Sequence, residues 1–266
     1  MNAVAFPGLG LEFNISSTAF KFFGVQITWY AILIVSAMLL GFVICKKKSG
    51  LYGINFSNIT ELSIYLIPIS IISARLYYVL FNSSSFVHNL FLVFNLRNGG
   101  LGIYGGIIGG AVTTIVFCKK KKINILDMLD YIAPTLAIGQ AIGRWGNFIN
   151  IEAYGTTTEN VLRMGIYENG TYKEVHPTFL YESIATFLIF LILIILQKKR
   201  KFSGVITYVY LITYSFARIF IEHLRIDSLM LGNYKISQVL SVIIFVVFCS
   251  ILAYNVKRND KRQQSI

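Results

Sequence analysis

Seven apolar stretches dominate this chain, at 28–45, 59–81, 100–118, 125–143, 178–196, 203–221 and 236–254. Each is long enough, or nearly so, to carry a helix across about 30 Å of hydrocarbon, which takes about 20 residues. Charged residues make up only 14% of the sequence and hydrophobic ones 55%, whereas a soluble domain holds about a quarter charged. Backbone surrounded by lipid must satisfy its own N–H and C=O groups, and a helix does so within one segment. The expected fold is therefore an all-α polytopic membrane protein with seven transmembrane helices. The fourth stretch is the weakest, because Pro134, Gly139 and Gln140 interrupt it. A hairpin or broken helix is the alternative there.

Basic residues set the orientation. Clusters at Lys46–Lys48, Lys119–Lys122, Lys198–Lys201 and Lys257–Arg262 follow segments one, three, five and seven, and hold most of the 24 lysines and arginines. The positive-inside rule makes that side cytoplasmic, so the amino terminus faces out and the carboxyl terminus in. The whole chain, 1–266, reads as a single integral membrane domain. It has an outer N-terminal segment (1–27), a small outer-face insertion with short strands (156–177) and a basic cytoplasmic tail (255–266). The net charge of +12 is then mostly a topology signal. Short clusters at membrane edges argue against a nucleic-acid partner. Residues 1–20 lack the basic start and continuous apolar core of a cleavable signal peptide. Cys45, Cys118 and Cys249 have no motif spacing, and two abut lysine clusters, where disulfides are not expected.

Against this apolar background, four polar segments fall on or near the outer side. Segment 97–110, from Arg97 and Asn98 onward, repeats glycine every four residues at Gly102, Gly106 and Gly110 and at Gly105 and Gly109, a pattern for close helix packing. Tyr104 among them reads as a phenol open to a cavity or as an interfacial residue. Segment 143–155 sets Arg144, Asn147, Asn150 and Glu152 among Gly143, Gly146 and Gly155. It reads equally as an anion site, with glycines for tight turns and close approach to a ligand, and as a capped helix end with an Arg144–Glu152 pair. His176-Pro177 opens the fifth span, followed by Tyr181 and Glu182; the histidine reads as the start of a helix more readily than as a base. Arg218, Glu222 and Arg225 stand at i, i+4 and i+7, sharing one helical face with positive charge in excess. An unpaired arginine at mid-bilayer costs about 2.5–3.5 kcal/mol or more. With Arg75 of the second span, the cations Arg144 and Arg218 face Glu152, Glu182 and Glu222 in the outer half of the bilayer. Such a cluster suits the phosphate of an anionic membrane lipid. It does not choose a reaction.

These segments closely resemble the prolipoprotein diacylglyceryl transferase family, an integral membrane enzyme of bacteria. The run Gly143-Arg144-Trp145-Gly146-Asn147-Phe148-Ile149-Asn150-Ile151-Glu152 with Gly155 is similar to its signature. His176-Pro177 with Tyr181-Glu182, Arg218 and Glu222 with Arg225 and Asp227, Gly99-Gly100-Leu101 with Gly105-Gly106, and Trp29-Tyr30 are similar to its other motifs, in the family's order. The resemblance implies transfer of the diacylglyceryl group of phosphatidylglycerol to the thiol of a lipobox cysteine in a prolipoprotein signal peptide. A thioether forms, glycerol 1-phosphate leaves, and no metal or organic cofactor is implied. The active site would face the outer leaflet of the cytoplasmic membrane. The expected catalytic residues are Arg144, Arg218, Glu152, Glu222 and Tyr104. The expected substrate-binding residues are Arg144, Asn147, Asn150, Gly155, Tyr30, Arg75, His176, Tyr181 and Glu182. Well-known members carry histidine where this chain has Tyr104. A phenol of pKa about 10 is a poorer base than an imidazole of about 6.5, so a hydrogen-bond donor is expected there. Glu152 or Glu222 would hold an arginine or take the thiol proton, and the choice stays open.

A lipid carrier or flippase would use the same arginines only to bind, and is the alternative reading. A CDP-alcohol phosphotransferase needs clustered aspartates, approached only by Asp127 and Asp130 at the cytoplasmic edge.

Overall fold

The computed structural model describes residues 2–264 except Ser84, Ser85, His88, 96–98 and Asn169. Arg97 and Asn98, which open the glycine-rich segment, lie outside the described residues. Seven long α-helices appear among those described: α1 (Trp29–Lys47), α2 (Phe56–Phe81), α3 (Ile103–Lys121), α4 (Ile125–Asn150), α5 (Thr178–Gln197), α6 (Val205–Leu224) and α7 (Ile236–Gln264). Six are long and apolar enough to cross a membrane. The third is not among the six, because its glycines and terminal lysines dilute its apolar content. The fourth runs unbroken through Pro134, so neither a hairpin nor a break forms there. A proline inside a helix costs about 3 kcal/mol, against which Ala133, Ala137, Ile138 and Ala141 are buried on the same helix.

Among the described residues eight short strands occur, four before α1, two between α4 and α5 and two between α6 and α7, and apolar spacing announces few of them. A four-stranded antiparallel sheet has the order β2-β1-β5-β6. It is built from β1 (Asn2–Phe6), β2 (Leu11–Ile15), β5 (Met164–Glu168) and β6 (Thr171–Val175). The N-terminal segment and the 156–177 insertion therefore share one sheet. Its side chains alternate with the pleat, so Val4, Phe6, Met164, Ile166 and Val175 form one apolar face, packed with Phe179 and flanked by Phe148 and Ile151. The hairpin β3 (Thr18–Phe22)–β4 (Val25–Thr28) leads into α1, and β7 (Met230–Leu231)–β8 (Tyr234–Lys235) joins α6 to α7.

The chain divides into two compact units, one of residues 45–131 and one of 1–44 with 132–266. In the first, α2 packs on α3. A methyl group at Gly105 or Gly109 would overlap Ser73, and one at Gly102 would press on the Tyr77 ring. These glycines let two backbones approach, as the four-residue repeat suggests. In the second unit α6 packs between α5 and α7.

Candidate functional site

Because α4 continues to Asn150, Gly143 and Gly146 are helical and make no turn. A methyl at Gly146 would overlap the ring of Tyr30, so its small size serves packing against α1. The turn falls on residues that are not glycine: Ile151 (φ 54) and Ala153 (φ 58) both adopt left-handed backbone. That conformation costs about 1–3 kcal/mol per residue. The turn is held by Ile151 N donating to Phe148 O at 3.1 Å, by Glu152 N donating to Asn147 O at 3.0 Å, and by the Thr178 hydroxyl donating to Ala153 O. It folds Glu152 back onto the helix end. There its Oε1 accepts from Asn147 Nδ2 at 2.8 Å and from Asn150 Nδ2 at 3.4 Å. Glu152 thus pairs with two amides and not with Arg144.

Arg144 points elsewhere. Its Nη1 donates to Asn147 Oδ1 at 3.1 Å and its Nη2 to Glu182 Oε1. The other oxygen of Glu182 accepts from Arg218 Nη1 at 2.6 Å, and Arg218 Nη2 lies 2.5 Å from Glu222 Oε2. Tyr214 adds a hydroxyl 3.3 Å from Glu182 Oε1. Glu182 and Glu222 are 2% and 1% exposed, so both carboxylates are tied to cations in a dry setting. Removing one member of such a pair typically costs about 3–5 kcal/mol. The network holds two arginines and two glutamates, formally neutral.

The excess positive charge expected on the 218–225 stripe is absent. The helix α6 ends at Leu224, Arg225 becomes extended (ψ 143), and its guanidinium turns to Asp227 at 2.8 and 2.9 Å. Lys235 then caps the end of α6, donating to the carbonyls of Glu222 at 2.9 Å, His223 at 3.0 Å and Arg225. Among the described residues no partner meets Nε of Arg144, whose side chain stays 21% exposed. Arg144 is thus the more exposed of the two arginines, against 13% for the Arg218 side chain.

The remaining candidates divide. Gly155 sits where three segments meet: its N–H donates to His176 O at 2.9 Å, and a methyl there would press on His176, Thr178 and Leu224. Its small size serves this junction, as that of Gly146 serves the Tyr30 ring. His176 Nδ1 lies 3.3 Å from the Tyr181 hydroxyl, and burial lowers its pKa below 6.5. In the other unit, Tyr104 is half-buried with its ring 6.3 Å from that of Tyr77. Arg75, in the same unit, is 7% exposed. It donates to five carbonyls, those of Leu92, Val93, Asn95, Gly99 and Gly100, at 2.5–3.0 Å. Gly99 and Gly100 have φ near 80°, and a side chain on Gly100 would strike the guanidinium. These two glycines exist for that clamp.

Sequence reasoning missed Tyr214, although it stands four residues before Arg218 and so on the same helical stripe. It also took Gln140 for an interruption; Gln140 Oε1 accepts from the Tyr210 hydroxyl at 3.0 Å.

The family model described as prolipoprotein diacylglyceryl transferase matches residues 17–254. The chain is similar to several proteins named phosphatidylglycerol–prolipoprotein diacylglyceryl transferase. Identity to that of Finegoldia magna is 46% over 229 residues, covering 86% of this chain and 91% of the relative. For Clostridioides difficile it is 46% over 225 residues, 85% and 89%. For Clostridium novyi it is 40% over 255 residues, 92% and 98%. The chain belongs to the prolipoprotein diacylglyceryl transferase family.

Proposed function

We propose that this integral membrane protein transfers the diacylglyceryl group of phosphatidylglycerol to the lipobox cysteine of prolipoproteins. The thiolate sulfur attacks the glycerol carbon bonded to phosphate oxygen. A C–S bond forms, the C–O bond breaks with its electron pair going to the phosphate, and glycerol 1-phosphate leaves. The observation that carries this reading is the pair of guanidinium groups, Arg144 and Arg218, held by the two oxygens of Glu182.

In this scheme Arg144 binds the phosphate through its accessible edge, and Arg218 strengthens as charge grows on the departing oxygen. Asn147 fixes Arg144 and Glu152 together. Glu152 is exposed while Glu222 is 1% exposed, so Glu152 is the better placed to take the thiol proton. Glu222 and Glu182 act as spacers of the arginines. Tyr104 serves as a hydrogen-bond donor, and Arg75 shapes the loop before it. An apolar cleft of about 490 Å³, lined by Leu33, Ile142, Trp145, Ile184, Phe187 and Leu188 among others, starts one residue from Arg144 and suits an acyl chain. The lysine clusters support seven spans in the cytoplasmic membrane, with this site toward the outer leaflet.

The test is incubation of the enzyme with phosphatidylglycerol and a lipobox peptide, followed by mass spectrometry. A mass gain of one diacylglyceryl group is expected. Lipid movement without that product would favour a carrier.

A further inference from the structure

The strand β2 is the outer strand of the four-stranded sheet. On one side β1 pairs with it along its whole length, from Leu11 with Phe6 to Ile15 with Asn2, without a register shift. Among the described residues no backbone bond reaches its other side. The opposite edge of the sheet is covered: Thr158 N donates to Glu174 O at 3.0 Å, and His176 N to Thr156 O at 2.9 Å. Proteins usually blunt an open edge with lysine, proline, a bulge or an overlying loop. The sequence of β2, Leu11-Glu12-Phe13-Asn14-Ile15, has no lysine and no proline. Leu11 and Phe13 are 47% and 43% exposed.

The edge lies beside the chemistry. The ring of Phe13 is 6.4 Å from that of Phe148, the residue after Asn147, which bonds both Arg144 and Glu152. A cleft of about 320 Å³ crosses the sheet from Glu12, Phe13 and Asn14 of β2, over Ala3 to Ala5 of β1, to Gly165, Tyr167 and Tyr172. Glu12 lines this cleft, and the Tyr172 hydroxyl that also lines it donates to Glu174 at 3.3 Å, a setting that disfavours an anionic headgroup as its occupant. An unpaired strand edge recognises extended main chain, whatever side chains it carries.

We infer that β2 is the docking edge for the acceptor polypeptide. The extended stretch that leaves the membrane next to the acceptor cysteine adds to the sheet outside β2. This rests on the transfer reading above. Main-chain pairing leaves side-chain identity free along that stretch, while the register delivers the cysteine toward Asn147 and Arg144.

The test uses the full-length enzyme with phosphatidylglycerol and a set of acceptor peptides, each carrying one backbone N-methyl group after the cysteine. Strand addition faces the enzyme with every second amide. KM is therefore expected to rise about three- to tenfold, the range of one hydrogen bond, at alternate positions, with kcat within about twofold. A photo-crosslinking residue in place of Leu11 is expected to capture the peptide. A KM profile without the two-residue alternation, or capture of a second enzyme copy in place of the peptide, overturns the docking edge. The unmodified peptide separates the two readings: its normal modification leaves transfer intact when docking fails, and its failure sinks both.

Discussion

Arg218 on α6 meets Glu182 on α5 at 2.6 Å, across 36 residues of sequence. The second oxygen of that carboxylate belongs to Arg144, so one buried glutamate sets the spacing of both guanidinium groups. Glu182→Gln leaves two cations around a neutral amide. Breaking a buried pair costs about 3–5 kcal/mol, and transfer is expected to fall about 100-fold or more in initial-rate assays normalised to membrane-embedded enzyme. Activity within tenfold of the parent would mean that something else spaces the arginines.

Arg144 uses two nitrogens in two directions, one on Asn147 and one on Glu182. Lysine offers a point charge and cannot reproduce that fork. Both Arg144→Ala and Arg144→Lys should lose transfer while the protein still reaches the membrane, measured by peptide modification and by immunoblot of membranes. Near-normal turnover in Arg144→Ala would end its assignment to the phosphate.

Gly146 and Gly139 lie on the same helix but in different surroundings. A methyl at Gly146 meets the Tyr30 ring, while one at Gly139 meets nothing within 4 Å. Overpacking costs about 1–3 kcal/mol, so Gly146→Ala should lower thermal stability in detergent and reduce activity. Gly139→Ala should leave both unchanged. Equal behaviour of the two variants would refute the packing role given to Gly146.

The sheet carries a pH signature. Burial, and then the 2.6 Å bond to Glu168, push the Tyr154 pKa from 10.0 to about 12. Below pH 10 the phenol is protonated in the folded and unfolded chain alike, and its contribution is whole. Above 10 the unfolded chain ionises first, so that contribution is lost as the pH climbs toward 12. The Lys173 ammonium, and then the Tyr154 hydroxyl, hold Glu168 below 4.5; its contribution is present above 4.5 and is lost as the pH falls further. Hydrogen exchange over residues 164–175 should therefore show a plateau with an acid and an alkaline limb. Tyr154→Phe should weaken the alkaline limb and, by removing one of the groups that hold Glu168 down, shrink the acid limb as well; an unchanged alkaline limb in that variant would point to another group.

The helices were legible because lipid-spanning segments announce themselves by length and apolarity: each expected stretch coincides with a helix, six of them long and apolar enough to cross a membrane. Their polar ends were less so. Hydropathy placed the end of the fourth stretch at Gly143, but helical hydrogen bonding carries α4 to Asn150, which moved the turn from glycines onto Ile151 and Ala153. The residue types at the site were readable, while their pairing was not. Arg144 chose Glu182 over Glu152 because partners distant in sequence are set by helix packing, and Arg225 met its near neighbour Asp227 because α6 stops at Leu224. The sheet was the least legible part, since its four strands come from two segments over 140 residues apart.

The neutrality of the arginine network bears on how a catalytic cycle would end. A phosphodiester headgroup brings one negative charge, and the phosphate monoester released by transfer carries about 1.5–2 at neutral pH. Bare arginines would grip that product harder than the substrate and stall the next turnover. With Glu182 and Glu222 already opposing them, they hold a departing dianion less tightly than bare arginines would. On the transfer reading, the buried glutamates are an exit device: they keep a phosphate-recruiting site from being poisoned by the phosphate it makes.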